Sequence, residues 1–224
     1  EIEGQFYDQE IVRFKITNSD GSDYIDTDEV LNLNPFDPGT HNLTGGRAAH
    51  IGVYEDTLVV GNYDDNSDQG KATIYERSSV SGKWEFKQFL EPPGTPITNP
   101  RYGWSVSIYK DIIAVTAYRE DTIPGESNAG KLYIFEKGSS GVWGYVAEFI
   151  PDSDGSSEGN IQMGFDAGVT DNKIACSAWN EDANGVNSGA LYLYEKSGGT
   201  WSEIQKIDGH FAHERFGTRL HIRG

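Results

Sequence analysis

Apolar and polar positions along this chain alternate in short runs, and no stretch holds a helical period. Ile51 and Val53, and again Val106 and Ile108, alternate with polar or small residues, as in a strand with one covered face. Leu58-Val59-Val60 and Ile112-Ile113-Ala114-Val115 are continuous apolar runs of strand length, the mark of strands covered on both faces. The expectation is an all-β fold of many short strands.

The strands recur in phase. Ala48–Tyr63, Gly103–Tyr118 and Gly164–Trp179 align residue by residue. Each is followed by a polar loop and a second matching segment: Gly70–Arg77, Gly130–Lys137 and Gly189–Lys196. A Ser/Gly-rich turn and a tryptophan come next (Trp84, Trp143 and Trp201), then a last strand. The turn residues Asp56 and Asp111 lie 55 positions apart, and Asp111 and Asn172 lie 61 apart. A fourth copy opens at Phe216-Gly217 and runs to Ile222.

Four strand signals per unit at this period predict β-propeller blades, each a four-stranded antiparallel sheet. The chain divides into blades at 46–100, 101–160 and 161–212, with partial blades at both ends. Residues 1–45 carry two strand-like runs, Ile11–Ile16 and Val30–Leu33, and residues 213–224 supply the first strand of a further or composite blade.

The recurring residues resemble the FG-GAP repeat. An aromatic-Gly pair, Val-x-Ile, a tight turn, an apolar strand and Gly-x-Leu-Tyr-Ile-Phe-Glu stand in order, best in Tyr102–Val106 with Gly130–Glu136, and start again at Phe216-Gly217. The resemblance covers roughly residues 46–224 and implies the propeller that this repeat builds in integrin α chains and in microbial surface proteins. In integrin-type blades an Asp/Gly-rich calcium loop joins the first two strands. The matching connections here, Tyr54-Glu55-Asp56, Tyr109-Lys110-Asp111 and Thr170-Asp171-Asn172, have too few oxygens for an ion that takes six to eight. The resemblance is therefore to the calcium-poor variety, and no cofactor is expected.

Composition narrows the function. The 224 residues carry 35 Asp+Glu against 18 Lys+Arg, for a net charge of -17, which excludes the basic footprint of a nucleic-acid binder. No apolar stretch approaches the ~20 residues of a membrane helix. The single cysteine, Cys176, lies in an apolar run and reads as a small core residue. No zinc motif, nucleophile elbow or Walker loop occurs.

Candidate binding residues fall at one place in each unit, directly after the second strand. They are the aromatics Tyr63, Tyr118 and Trp179 and the acidic loops Asp64, Asp65 and Asp68, Glu120 and Asp121, and Glu181 and Asp182. On one face of a propeller they would ring a site for a cation, a basic partner or a sugar, with solvated turns and inter-blade packing as the bland alternatives. Asp20 and Asp23, and Asp152 and Asp154, are weak calcium-loop candidates that miss the EF-hand spacing. Asn42 heads an N-glycosylation sequon.

With no catalytic constellation in view, the resemblance implies a non-catalytic extracellular interaction or adhesion module with a protein or glycan partner. The partial blades leave a second reading open, a surface filament in which strands of one copy complete the blade of the next. A propeller-fold polysaccharide lyase or hydrolase is the third. A small closed ring, a piece of a longer chain and an open array all fit the repeat number.

Overall fold

The computed structural model describes residues 11–12, 31–32, 48–94, 100–122, 127–152, 160–220 and 222. It is all-β apart from one four-residue helical turn, α1, at Asp65–Asp68. Two short strands, β1 (Ile11–Val12) and β2 (Leu31–Asn32), pair antiparallel with Ile11 opposite Asn32. The rest of the two N-terminal runs read from the sequence lies outside the described residues.

Three four-stranded antiparallel sheets follow, each in simple up-and-down order. The first holds β3 (Ala48–Tyr54), β4 (Thr57–Asn62), β5 (Lys71–Arg77) and β6 (Trp84–Leu90). The second holds β7 (Tyr102–Tyr109), β8 (Ile112–Ala117), β9 (Lys131–Lys137) and β10 (Trp143–Phe149). The third holds β11 (Met163–Val169), β12 (Lys173–Ala178), β13 (Ala190–Ser197) and β14 (Thr200–Asp208). These are the blades the repeat predicts.

The turns obey the sequence. Two residues, Glu55-Asp56 and Lys110-Asp111, join the first strand to the second in the first two sheets. Glu55 and Lys110 both sit at positive φ (49° and 50°), as the tight hairpin turn requires. Three residues make the same connection in the third sheet.

The second strand of each sheet is buried over nearly its whole length, and in β8 every residue is covered. Its apolar run serves two cores. Ile113, Val115 and Ala117 pack with Val59, Ala72 and Ile74 of the first sheet. Ile112 and Ala114, on the opposite face, pack with Ile161, Met163, Ile174 and Cys176 of the third. A core shared between neighbouring sheets explains why a chain with only 36% hydrophobic residues folds: each layer is thin, and both its faces are used. Trp143 and Trp201 are both buried (3% and 7% exposed), one in each shared core.

The glycine that opens each repeat, after Tyr102, Met163 or Phe216, marks a close approach between units. Gly103, Gly164 and Gly217 all lie near φ +90° (83°, 93° and 86°). A Cβ on Gly103 would stand 2.2 Å from the carbonyl oxygen of Lys71, and one on Gly164 would stand 2.6 Å from Thr116 Cβ. Only glycine suits both the backbone and the gap.

The fourth copy begins as the others do. Phe216 bridges Gly189 as Tyr102 bridges Gly70 and Met163 bridges Gly130. The expected strand at 218–222 does not form a ladder among the described residues, however. Leu220 gives its backbone N–H to the side chain of Asp166 at 2.8 Å, the contact that Ala167 of β11 makes with Ser105 one unit earlier. No described helix is long and apolar enough to cross a membrane.

Candidate binding face

Tyr63, Tyr118 and Trp179 each stand directly after the second strand of their sheet, and the structure brings them into one ribbon. Trp104 and Phe165, near the start of β7 and β11, fill the spaces between them. Tyr63 and Trp104 have ring centroids 4.8 Å apart, Trp104 and Tyr118 4.3 Å, Tyr118 and Phe165 6.1 Å, and Phe165 and Trp179 4.4 Å. The last pair is stacked, at 27° between planes. The Trp104 indole N–H donates to the carbonyl of Phe165 across the sheet boundary at 2.9 Å. Such ring pairs contribute about 0.5–1.5 kcal/mol each beyond the area they bury. Tyr118 is buried, while Tyr63, Trp104, Phe165 and Trp179 keep part of their surface in solvent. Inter-blade packing and a presented aromatic surface are thus the same object.

Guanidinium groups lie on this ribbon. Arg101 is 5.3 Å from the Tyr63 ring, Arg119 is 5.3 Å from the Tyr118 ring, and Arg215 is 4.7 Å from the Trp179 ring. Sequence reading passed over these arginines because they flank the aromatic positions without a motif. The signal that could have found two of them is the column just before the aromatic-Gly pair, which reads Arg101, Gln162, Arg215.

The acidic loops divide into two kinds, and three of the seven named acids are withdrawn from the surface. Asp65, Glu120 and Glu181 occupy equivalent places and are buried, with Glu181 at 0% exposure. Glu120 accepts from the Tyr133 hydroxyl at 2.5 Å and pairs with Lys131 at 3.2 Å. Glu181 accepts from the Tyr192 hydroxyl at 2.9 Å and from Lys206. Asp65 pairs with Lys71 at 3.4 Å. Burial opposes the charge of Lys131, but Glu120 and Glu148 outweigh it and hold the ammonium above its ordinary pKa. Burial, together with Glu120, drives the Tyr133 phenol well above its ordinary value. These carboxylates are spent inside the blades, since a charge buried there must be paired. The remaining loop acids reach the surface. Asp121 and Asp182 each close their loop by accepting a backbone N–H, from Asn128 and Asn187, at 2.6 Å. Asp64 and Asp68 are half-buried.

One residue deeper, a polar circuit passes through all four units. His50, Ser105, Asp166 and Arg219 hold the same column of the repeat. His50 Nδ1 is 2.8 Å from Ser105 Oγ, Ser105 Oγ donates to Asp166 Oδ1 at 3.3 Å, and Asp166 Oδ2 accepts from the N–H of Leu220. Arg219, the residue before, returns to His50 Nε2 at 3.4 Å. Each neighbour fixes the next. Ser105 gives its one proton to Asp166, so His50 Nδ1 must carry a hydrogen and donate to the hydroxyl, leaving Nε2 to accept from Arg219. Burial, offset by Asp166 and reinforced by Arg219, holds the imidazole below its ordinary pKa. Serine, histidine and aspartate meet here, but not as a nucleophile needs them. The hydroxyl lies between the imidazole and the carboxylate, whereas a base must lie between the other two. Ser105 is moreover fully buried and accepts from the N–H of Ala167.

Asp152 is exposed. Asp20, Asp23, Asp154 and Asn42 lie outside the described residues. Among the described residues no group of three or more His, Cys, Asp or Glu side chains is placed to hold a metal ion. Cys176 is fully buried, and burial pushes its thiol pKa far up.

The family model of the FG-GAP repeat matches residues 97–135, which span β7, β8 and most of β9. No curated protein matches the chain. The second sheet thus contains a recognised FG-GAP repeat, and its two neighbours share its strand order, its turn positions and its inter-unit glycine contacts.

Proposed function

We propose that this chain is a non-catalytic interaction module of an extracellular or cell-surface protein, and that it holds its partner on the aromatic ribbon from Tyr63 to Trp179. The observation that carries the reading is the ribbon itself: five rings from three units, four of them partly in solvent, with three guanidinium groups laid on them. Partly exposed aromatics beside arginine are the residue types that dominate binding energy at interfaces. The FG-GAP match to residues 97–135 supports a propeller-type scaffold, on which function resides in such surfaces. The misordered and buried Ser105 supports a binding role over a hydrolytic one.

The contact between Arg219 and His50 favours closure of the units within one chain over strand exchange between copies. A concentration series by light scattering tests that choice, and growth into polymers would reverse it.

The functional test presents the protein at high valency to arrays of glycans and extracellular proteins, beside a Trp179→Ala variant of matched secondary structure. Retention of a ligand by the parent and its loss in the variant is the expected result. If both chains retain the same ligands, the ribbon is not the binding face.

A further inference from the structure

Charge pairing in the described chain is uneven. Eight of the nine described lysines stand within ion-pair distance of a carboxylate. Three of the five described arginines behave otherwise. Arg101 reaches Asp68 at 3.6 Å, but Arg119, Arg215 and Arg219 have no carboxylate partner among the described residues. Acids are not scarce, since the chain carries 35 Asp+Glu and a net charge of -17. Arg119 and Arg215 lie instead on ring faces, over Tyr118 and Trp179. A guanidinium held over a ring keeps its N–H donors around its edge, in the fork that suits a carboxylate.

The surroundings discriminate between anions. Asp121 is exposed and stands two residues from Arg119, and Asp182 lies in the matching loop beyond Trp179. A ligand whose charges crowd along its backbone, such as an acidic peptide, meets strong repulsion from these groups and from the net negative field. An oligosaccharide that carries its carboxylates on separate rings places neutral hydroxyls between them. Aspartate oxygens accept hydrogen bonds from such hydroxyls, and the partly exposed edges of Phe165 and Trp179 offer apolar surface beside them.

We propose that the end of the ribbon made by Arg119, Phe165, Trp179 and Arg215 is a subsite for a carboxylated oligosaccharide, with the two arginines taking its carboxylates. This deepens, and rests on, the reading of the ribbon as the binding face. The surface is built by two neighbouring units and the start of the next. It is selective for an anion although the protein as a whole repels anions.

Titration calorimetry on the full chain tests it, with short oligouronates (galacturonate, glucuronate and mannuronate types), their methyl esters and poly-glutamate as probes. At least one oligouronate is expected to bind, its methyl ester roughly tenfold more weakly, and poly-glutamate not measurably. Arg119→Gln and Arg215→Gln, both near the surface, should each weaken binding severalfold at an unchanged melting temperature, and added salt should weaken it further. Equal binding of acid and ester overturns the proposal, as does poly-glutamate binding as tightly as the sugar. So does parental affinity in both arginine variants, or no binding of any oligouronate. The two failures are distinguishable: if other glycans or proteins are still captured and Trp179→Ala releases them, only the carboxylate preference falls, whereas equal capture by parent and Trp179→Ala overturns the ribbon reading itself.

Discussion

Arg219 Nη1 lies 3.4 Å from His50 Nε2, so the start of the fourth unit touches the first strand of the first across 169 residues of sequence. The hydrogen-bond order of the circuit makes neutral His50 the acceptor of that contact. A protonated imidazole would set N–H against N–H and cation against cation. The charged groups that face His50 are Asp166 from β11 and Arg219 from the fourth unit, while β7 contributes the uncharged Ser105.

A pH dependence follows from that position. The folded pKa of His50 is below the ordinary value near 6.5, so the unfolded chain takes up the proton first as pH falls. The stability that His50 contributes is whole above about pH 6.5 and is lost below it, down to the folded pKa. Urea melts at pH 7.5 and 5.5 should show this loss. His50→Asn, which keeps a donor and an acceptor but does not titrate, should flatten the slope over that interval. An unchanged slope in the variant would place the proton uptake elsewhere.

Gly103 and Gly141 separate backbone strain from steric clash. Both have positive φ, 83° and 80°. A Cβ on Gly141 meets nothing within 4 Å, whereas one on Gly103 meets the Lys71 carbonyl at 2.2 Å. Gly141→Ala should cost about 1 kcal/mol, and Gly103→Ala at least about 3 kcal/mol as the two sheets are forced apart. Chemical denaturation of the two variants checks the ranking.

Two ion pairs should behave in opposite ways. Glu181 is fully buried against Lys206 and Tyr192, while Lys110 and Asp171 are both more than half exposed. Glu181→Ala leaves a buried hydroxyl and a partly buried ammonium unpaired, and should cost about 2–4 kcal/mol. Asp171→Ala should shift stability by no more than about 0.5 kcal/mol. Equal effects in thermal melts would contradict the burial assigned to Glu181.

Cys176 reports on opening of the third sheet. Its thiol is fully buried between β11 and β13, and burial raises its pKa, so a thiol reagent should label it only as fast as the sheet opens. Trp201→Ala, which removes a buried ring from the same core, should speed labelling. Rapid labelling of the native parent would show that the core is not closed.

Much of the scaffold was legible in the sequence because a repeat makes each unit a check on the others. The period located the strands, the doubly apolar run Ile112–Val115 identified the strand with two covered faces, and the two-residue turns followed from Glu55-Asp56 and Lys110-Asp111. The site was only half legible. Tyr63, Tyr118 and Trp179 stood out by their common position, yet nothing local shows that Trp104 and Phe165 stack between them. Glu120 and Glu181 resembled their exposed neighbours because one residue decides whether a loop carboxylate turns toward Tyr133 and Tyr192 or toward solvent. His50, Ser105, Asp166 and Arg219 share a column but no chemistry. No local pattern marks them, because their complementarity exists only between units.

The alternation along β8, with Ile113 and Val115 facing one way and Ile112 and Ala114 the other, sets where such a protein can be recombined. A cassette cut at the edges of a sheet carries halves of two different interiors and fits only beside its original neighbours. A cassette cut between β8 and β9 divides a single sheet but keeps the mated faces of adjoining units together over their inner strands. Grafting a ribbon of altered specificity is therefore a matter of exchanging seams, and the seam is the heritable part.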